Sequence, residues 1–163
     1  MKSNNAIKKP TIVIGSDHAG FTTKKTIIKS LAKKGYVIVD VGSFDPEVPD
    51  DYPDYALQVG KAVSSDRNGL TKGVLICGSG TGMAIAANKV NGIRATVVYD
   101  AYSAKMARHD NDANIICLRA RNFPHYKEPR LVDIFLTTPF SGIPRHKRRI
   151  RKLARIEKNL GTE

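Results

Sequence analysis

The stretch KGVLICGSGTGMAIAANK, Lys72–Lys89, decides the fold. Val74–Cys77 is a short, continuous apolar run, the pattern of a strand covered on both faces. Gly78, Gly80 and Gly82 then alternate with Ser79 and Thr81, and an Ala-rich helical run follows. Packing alone does not ask for three glycines in five residues. Bare backbone lets N–H groups approach a ligand closely, and a helix N-terminus adds unpaired donors at the positive end of its dipole. Such a cradle stabilises an anion and lowers the pKa of an adjacent thiol, which would make Cys77 a base or a nucleophile. The competing reading is that Cys77 is a small buried hydrophobe, as free cysteines usually are.

Strand-like and helix-like runs alternate on either side of this unit. TIVIGS (Thr11–Ser16) is a first strand, followed by a helix through Thr22, Ile27, Ile28 and Leu31 that stops at Gly35. YVIVDVG (Tyr36–Gly42) is a second strand, and the Pro- and Asp-rich SFDPEVPDDYPD leads into a helix from Tyr55 to about Ser65. IRATVVYD gives a fourth strand, AYSAKMARHD a helix, ANIICL a fifth strand, and a further helix spans about Tyr126–Leu136. The expected fold is therefore α/β: a three-layer α/β/α, Rossmann-like domain with a five-stranded parallel sheet plus a C-terminal helix at about 144–160. One domain is expected over residues 1–163, with 1–10 as a flexible N-terminus. In such sheets ligands bind beyond the carboxyl ends of the strands. That rule points at SDHAG, GSFDPEVPDDY, CGSGTG, YDAYS and RAR.

The composition excludes several classes. Among 163 residues, 41% hydrophobic, no apolar run approaches the ~20 residues a bilayer helix needs. MKSNNAIKKP has no apolar core and does not read as a secretory signal. Cys77 and Cys117 lack metal-ligand spacing and read as reduced thiols of a cytoplasmic protein. Of the net charge of +12, eight cations against Glu157, or +7, lie between Pro144 and Lys158. A solvated helix face, nucleic-acid binding and anion capture each account for that segment. No aromatic residues interleave with its cations, which disfavours nucleic acid. Two nucleotide motifs fail on single residues. GSDHAGFT has Phe21 where the lysine of a phosphate-binding loop belongs, and GSGTGM has Met83 where a third glycine should stand.

GSDHAGF, DYPDYA, CGSGTGMAIAANK, NDAN and a C-terminal RHxxR occur in that order. Together, from about Thr11 to Leu153, they resemble the family of ribose-5-phosphate isomerase B and galactose-6-phosphate isomerase subunits. The resemblance implies an aldose–ketose isomerase interconverting D-ribose 5-phosphate and D-ribulose 5-phosphate through a cis-enediolate, in the pentose phosphate pathway, without metal or organic cofactor. A hexose 6-phosphate is the alternative substrate. A sugar-phosphate or nucleic-acid binding protein without activity is the alternative class. Cys77 matches the family's catalytic base, and the amides of Gly78, Ser79, Gly80, Thr81 and Gly82 its anion cradle. Ser79 stands where many members carry threonine, and its hydroxyl is expected to assist. Some relatives place a glutamate where Met83 stands, and methionine takes no proton. Asp17 and His18 match a pair contacting substrate hydroxyls and the phosphate region. Tyr52 matches a tyrosine of the loop after the second strand, Asn111 a substrate-binding asparagine and Arg121 a phosphate-side arginine. Arg145 and Arg149 match a C-terminal arginine pair, one helical turn apart and suited to clamping phosphate.

The match is imperfect at one point. Where many relatives read HND, this chain reads RHDND, which puts Asp110 at the histidine's position and His109 one residue earlier. Asp110 matches by position and could shuttle the ring-opening proton if burial raises its pKa. His109 is the better-tuned group near neutrality. His125 is expected at a loop or helix start, His146 beside the phosphate clamp, and Cys117 in the core. The family resemblance also implies a homodimer or tetramer with shared sites, Asp110, Asn111 and Arg121 serving a neighbouring chain.

Overall fold

The computed structural model describes residues 9–122, 124 and 126–160. Residues 1–8 and His125, about which expectations were stated, lie outside the described residues. The elements are β1 (Thr11–Ser16), α1 (Phe21–Lys33), β2 (Val37–Asp40), α2 (Tyr52–Ser65), β3 (Thr71–Cys77), α3 (Thr81–Ala87), β4 (Ala95–Val97), α4 (Ala101–His109), β5 (Ile115–Arg119), α5 (Glu128–Thr137) and α6 (Pro144–Leu160). A single 3-10 turn, His18–Gly20, precedes α1.

The strands form one parallel sheet in the order β2-β1-β3-β5-β4. Side chains alternate across it, as a period of two requires. Ile12, Ile14, Val74, Ile76, Ile116 and Leu118 point to one face and pack with Ile27, Leu31, Ala104, Leu131 and Phe135 of α1, α4 and α5. Val13, Leu75, Cys77, Ile115 and Cys117 point to the other and pack with Val59, Val63, Met83 and Ala87 of α2 and α3. Each large apolar side chain buried this way contributes about 2–3 kcal/mol.

Handedness explains which helix goes where. The steps β1 to β2 and β4 to β5 run toward the β2 edge; the steps β2 to β3 and β3 to β4 run the opposite way. Right-handed crossovers must then place α1 and α4 on one face and α2 and α3 on the other. That is the observed layering.

Several boundaries differ from expectation, among them the start of α2 and the ends of β2 and β4. Helix α2 begins at Tyr52 rather than Tyr55, because Pro53 suits a first helical turn, where no N–H is needed. β2 and β4 are shorter than their apolar runs because both are edge strands with one neighbour each. Val37 and Val39 of β2 are consequently exposed, so that strand is not covered on both faces.

The β2–α2 connection is held by Lys24 of α1, whose side chain is fully buried. Its Nζ donates to Asp40 Oδ1 at 2.6 Å and to the carbonyls of Gly42 and Ser43 at 2.7 and 2.8 Å. All three ammonium protons are thereby used, as a buried cation requires. At the far end of the chain α6 stands off the body. A groove of about 950 Å³ separates it from the α3–β4 segment and α4, lined by Ile93, Met106, Asn111, Ile150, Leu153 and Ala154. Ile156 of α6 is 57% exposed, and Glu157 accepts from the Gly92 amide at 2.7 Å.

Candidate active site

β1 steps to β2 on one side and pairs with β3 on the other, so a crevice opens between the carboxyl ends of β1 and β3. Both glycine-bearing turns reach it. Cys77, the last residue of β3, is 5% exposed. Gly80 adopts φ 81°, a left-handed conformation, and a side chain there would meet the Leu118 backbone at 3.0 Å. This geometry turns the Gly80 N–H back onto Cys77 Sγ, 3.1 Å away. Ser79 is exposed and its Oγ accepts from the Thr81 amide at 3.3 Å. The Tyr52 ring lies against Gly82, where an added β-carbon would come within 2.8 Å of it. Met83 is fully buried among the α2–α3 core.

Arg121 crosses the cradle. A β-carbon on Gly78 would stand 3.3 Å from Arg121 Cδ, and the Arg121 amide donates to the Gly78 carbonyl at 3.0 Å. Arg121 therefore sits over the thiol turn of its own chain, which corrects the expectation that it serves a neighbour. Asp17 closes the other side. Its amide donates to the Ile76 carbonyl at 3.2 Å, and its carboxylate accepts from the Gly20 amide at 3.0 Å. Burial pushes the Asp17 carboxyl above its usual range, opposed by the Gly20 N–H, His18 and Arg121.

His18 is held by a residue that sequence reasoning missed. Asp50 Oδ1 accepts from the His18 amide at 2.8 Å and lies 2.8 Å from its Nδ1. Asp50 Oδ2 accepts from Tyr55 Oη at 2.9 Å. Burial tends to raise the Asp50 carboxyl, but the His18 amide and ring with the Ser43 and Tyr55 hydroxyls hold it below its usual value. The Pro- and Asp-rich loop carries four aspartates between Asp45 and Asp54, and nothing local marks Asp50 as the one that folds onto His18.

The remaining candidates gather at the opposite end of the sheet. Asp110 and Asn111 belong to the α4–β5 connection, which enters β5 at its amino end. Cys77 pairs with Arg119 at the carboxyl end of β5 and Gly73 with Ile115 at the start. Four steps of about 3.3 Å put at least ~13 Å between Cys77 and that connection. Arg145 and Arg149 lie at the start of α6, beside it. Ser141 donates its amide to the His109 carbonyl at 3.0 Å, and His146 packs edge-on to His109 with ring centroids 5.9 Å apart. One chain thus brings together Cys77, Gly78, Ser79, Gly80, Thr81, Gly82, Asp17, His18, Tyr52 and Arg121. It does not bring them to Asp110, Asn111, Arg145 and Arg149.

Asp110 does not have the environment expected of it. Its Oδ1 lies 2.6 Å from His109 Nδ1 and 3.6 Å from His146 Nδ1. The His109 hydrogen bond, aided by the positive fields of His146 and Arg145, holds the Asp110 carboxyl below its usual range, where burial was expected to raise it. His146 is 1% exposed; Ser141 Oγ lies 2.7 Å from its Nδ1, and Arg145 Nε donates to its Nε2 at 3.0 Å. The ligand atoms of His109, Asp110 and His146 lie within 4.8 Å of one another. With both His146 nitrogens engaged and a guanidinium alongside, the cluster is a hydrogen-bonded corner rather than a cation site.

A thiol and an amide cradle at the switch point of a parallel sheet, under one arginine, define an α/β enzyme that moves protons on an anionic ligand. The comparisons name the class more closely. The family model described as Ribose/Galactose Isomerase matches residues 12–153, and the chain belongs to that family. It is 38% identical over 146 residues to ribose-5-phosphate isomerase B of Escherichia coli (strain K12), covering 90% of this chain and 95% of that protein. It superposes on a Clostridium thermocellum ribose-5-phosphate isomerase B structure with TM-score 0.87 at 43% identity, covering 93% of this chain and 99% of that one. The Mycoplasma genitalium ribose-5-phosphate isomerase B structure with bound ribulose-5-phosphate superposes with TM-score 0.86 at 41% identity, covering 91% and 96%.

Proposed function

We propose that this chain is an aldose–ketose isomerase that interconverts D-ribose 5-phosphate and D-ribulose 5-phosphate, a step of the pentose phosphate pathway. The observation that carries the reading is the Gly80 amide on Cys77 Sγ, in the crevice between β1 and β3 and beneath Arg121. In the open-chain aldose, the Cys77 thiolate takes the C2 proton as the C1 oxygen gains charge. The amides from Gly78 to Gly82, assisted by the Ser79 hydroxyl, stabilise the resulting cis-enediolate. Return of the proton to C1 and transfer of the hydroxyl proton between O2 and O1 gives the ketose, with no net change in protons or electrons. Asp17, His18 and Tyr52 bind hydroxyls and the phosphate side of the sugar, and Arg121 supplies charge next to them.

The two clusters at opposite ends of the sheet fit a homodimer in which Asn111, Arg145 and Arg149 of one copy complete the crevice of the other. The groove under α6, with its exposed Ile156, offers apolar surface for that contact. A cytoplasmic location accords with two unpaired cysteines. No helix among the described residues is long and apolar enough to cross a membrane.

The test assays purified protein on ribose 5-phosphate and on allose and galactose 6-phosphates, with Cys77→Ala alongside. Turnover on the pentose is expected, falling at least about a hundredfold in Cys77→Ala while calorimetric binding of ribulose 5-phosphate survives. Turnover on hexoses alone would move the substrate class. Undiminished turnover without the thiol would remove Cys77 from the chemistry.

A further inference from the structure

The cations of α6 that the arginine pair leaves over are not scattered. Projected at about 100° per residue, Lys147, Arg148, Arg151, Lys152, Arg155 and Lys158 fall within about 140° of the helix circumference. All of them are exposed. Ile150, Leu153, Ala154, Ile156 and Glu157, which line the groove against the body, occupy the opposite side. We propose that this cationic stripe is a docking surface for the phosphate backbone of a nucleic-acid duplex, bound without regard to sequence and apart from the crevice that holds Cys77.

Two observations separate the stripe from an ordinary solvated face. The first is self-repulsion. Lys147 with Arg151, Arg148 with Lys152, and Arg151 with Arg155 are like charges four residues apart, an arrangement that destabilises a helix. Glu157 is the only acid of α6, and it is turned away onto the Gly92 amide, 2.7 Å from it. Among the described residues none of the stripe's cations has an ion-pair partner. The negative charge that would relieve the repulsion is therefore left to a partner. The second is reach. From Lys147 to Lys158 the helix rises about 16 Å. The family match ends at residue 153, so Arg155 and Lys158 carry the stripe beyond the segment that defines the family.

The partner follows from the chemistry. A lone phosphate is already matched by the Arg145 and Arg149 pair, whereas a row of cations matches a polyanion, and a duplex carries one charge per about 1.7 Å of its axis. No aromatic side chain lies among the cations. Unpaired bases thus have nothing to stack on, and backbone phosphate is the group left to hold. A lipid surface would need the apolar side of α6, and Ile150, Leu153 and Ala154 of that side line the groove.

The test titrates a DNA duplex of about 20 base pairs, longer than the stripe, with the full chain by fluorescence anisotropy at several salt concentrations. Binding is expected, with log K falling against log salt at a slope of about −5, since each phosphate contacted contributes about −0.9. Combining Arg148→Gln, Arg151→Gln, Lys152→Gln and Arg155→Gln is expected to bring the slope to about −2 and to weaken binding at least about a hundredfold at low salt. These substitutions relieve repulsion within α6, so helix content by circular dichroism should not fall. Combining Lys29→Gln, Lys61→Gln, Arg67→Gln and Lys105→Gln removes the same charge from exposed positions elsewhere, and is expected to leave affinity within about threefold. The proposal is overturned if the duplex does not bind at about 50 mM salt, or if the α6 variant binds like the parent. It is equally overturned if both variants weaken binding alike, which would assign it to net charge, or if anionic lipid vesicles are bound and the duplex is not.

Discussion

At the scale of single residues, contacts made within a few positions were legible in the sequence and distant ones were not. The Cys77–Gly80 contact spans three residues, and its glycines announce it. The Asp50–His18 contact spans 32, and the loop holding Asp50 offers several equivalent carboxylates. Because Asp50 grips both the amide and the ring of His18, Asp50→Asn is expected to raise KM for the phosphorylated sugar about tenfold with kcat near the parent value. Steady-state kinetics would show it, and a fall in kcat at unchanged KM would contradict it. Glu128 offers a second measurement. Its carboxyl is buried without a hydrogen-bond partner, and burial, partly offset by Arg119, pushes its pKa up from 4.5 to about 7. For an acid raised on folding, stability is fully present below the unfolded value and is lost as pH rises through the folded one. Stability should therefore decline between pH 4.5 and about 7, by up to about 3 kcal/mol. Denaturant titrations of Glu128→Gln should lack that decline.

At the scale of elements, the strand cores were readable because continuous β-branched runs have few other uses in a chain of this size. Their ends were not, because an edge strand stops where its single neighbour stops, which no local pattern reports. The start of α2 was missed for a related reason: Pro53 reads as a loop residue until it is seen in a first helical turn. Lys24 carries the main prediction here. It lies on the buried face of α1, and its ammonium ties Asp40 of β2 to the carbonyls of the following loop. Lys24→Met removes the cation and leaves the buried Gly42 and Ser43 carbonyls without it, at an expected cost of about 3 kcal/mol. Chemical denaturation would measure the loss, and a change below about 0.5 kcal/mol would show that water replaces the ammonium readily.

At the scale of the whole molecule, the parallel sheet separates the candidate site residues. Every βα turn emerges at the carboxyl edge, and the α4–β5 connection necessarily returns to the amino edge. Cys77 and Asn111 lie at opposite edges of one chain, while the basic start of α6 stays with Asn111. The class of fold was therefore readable from the alternation of apolar runs. The division of the candidate residues between the two edges was not, because it follows from the direction in which each strand is entered. This division has a genetic signature. A chain carrying Cys77→Ala and a chain carrying Arg145→Ala with Arg149→Ala are each expected to be nearly inert. When they are unfolded together and refolded as an equal mixture, random pairing gives hybrids that contain one undamaged crevice. About a quarter of the full rate should reappear, and two crippled alleles should complement one another in a cell.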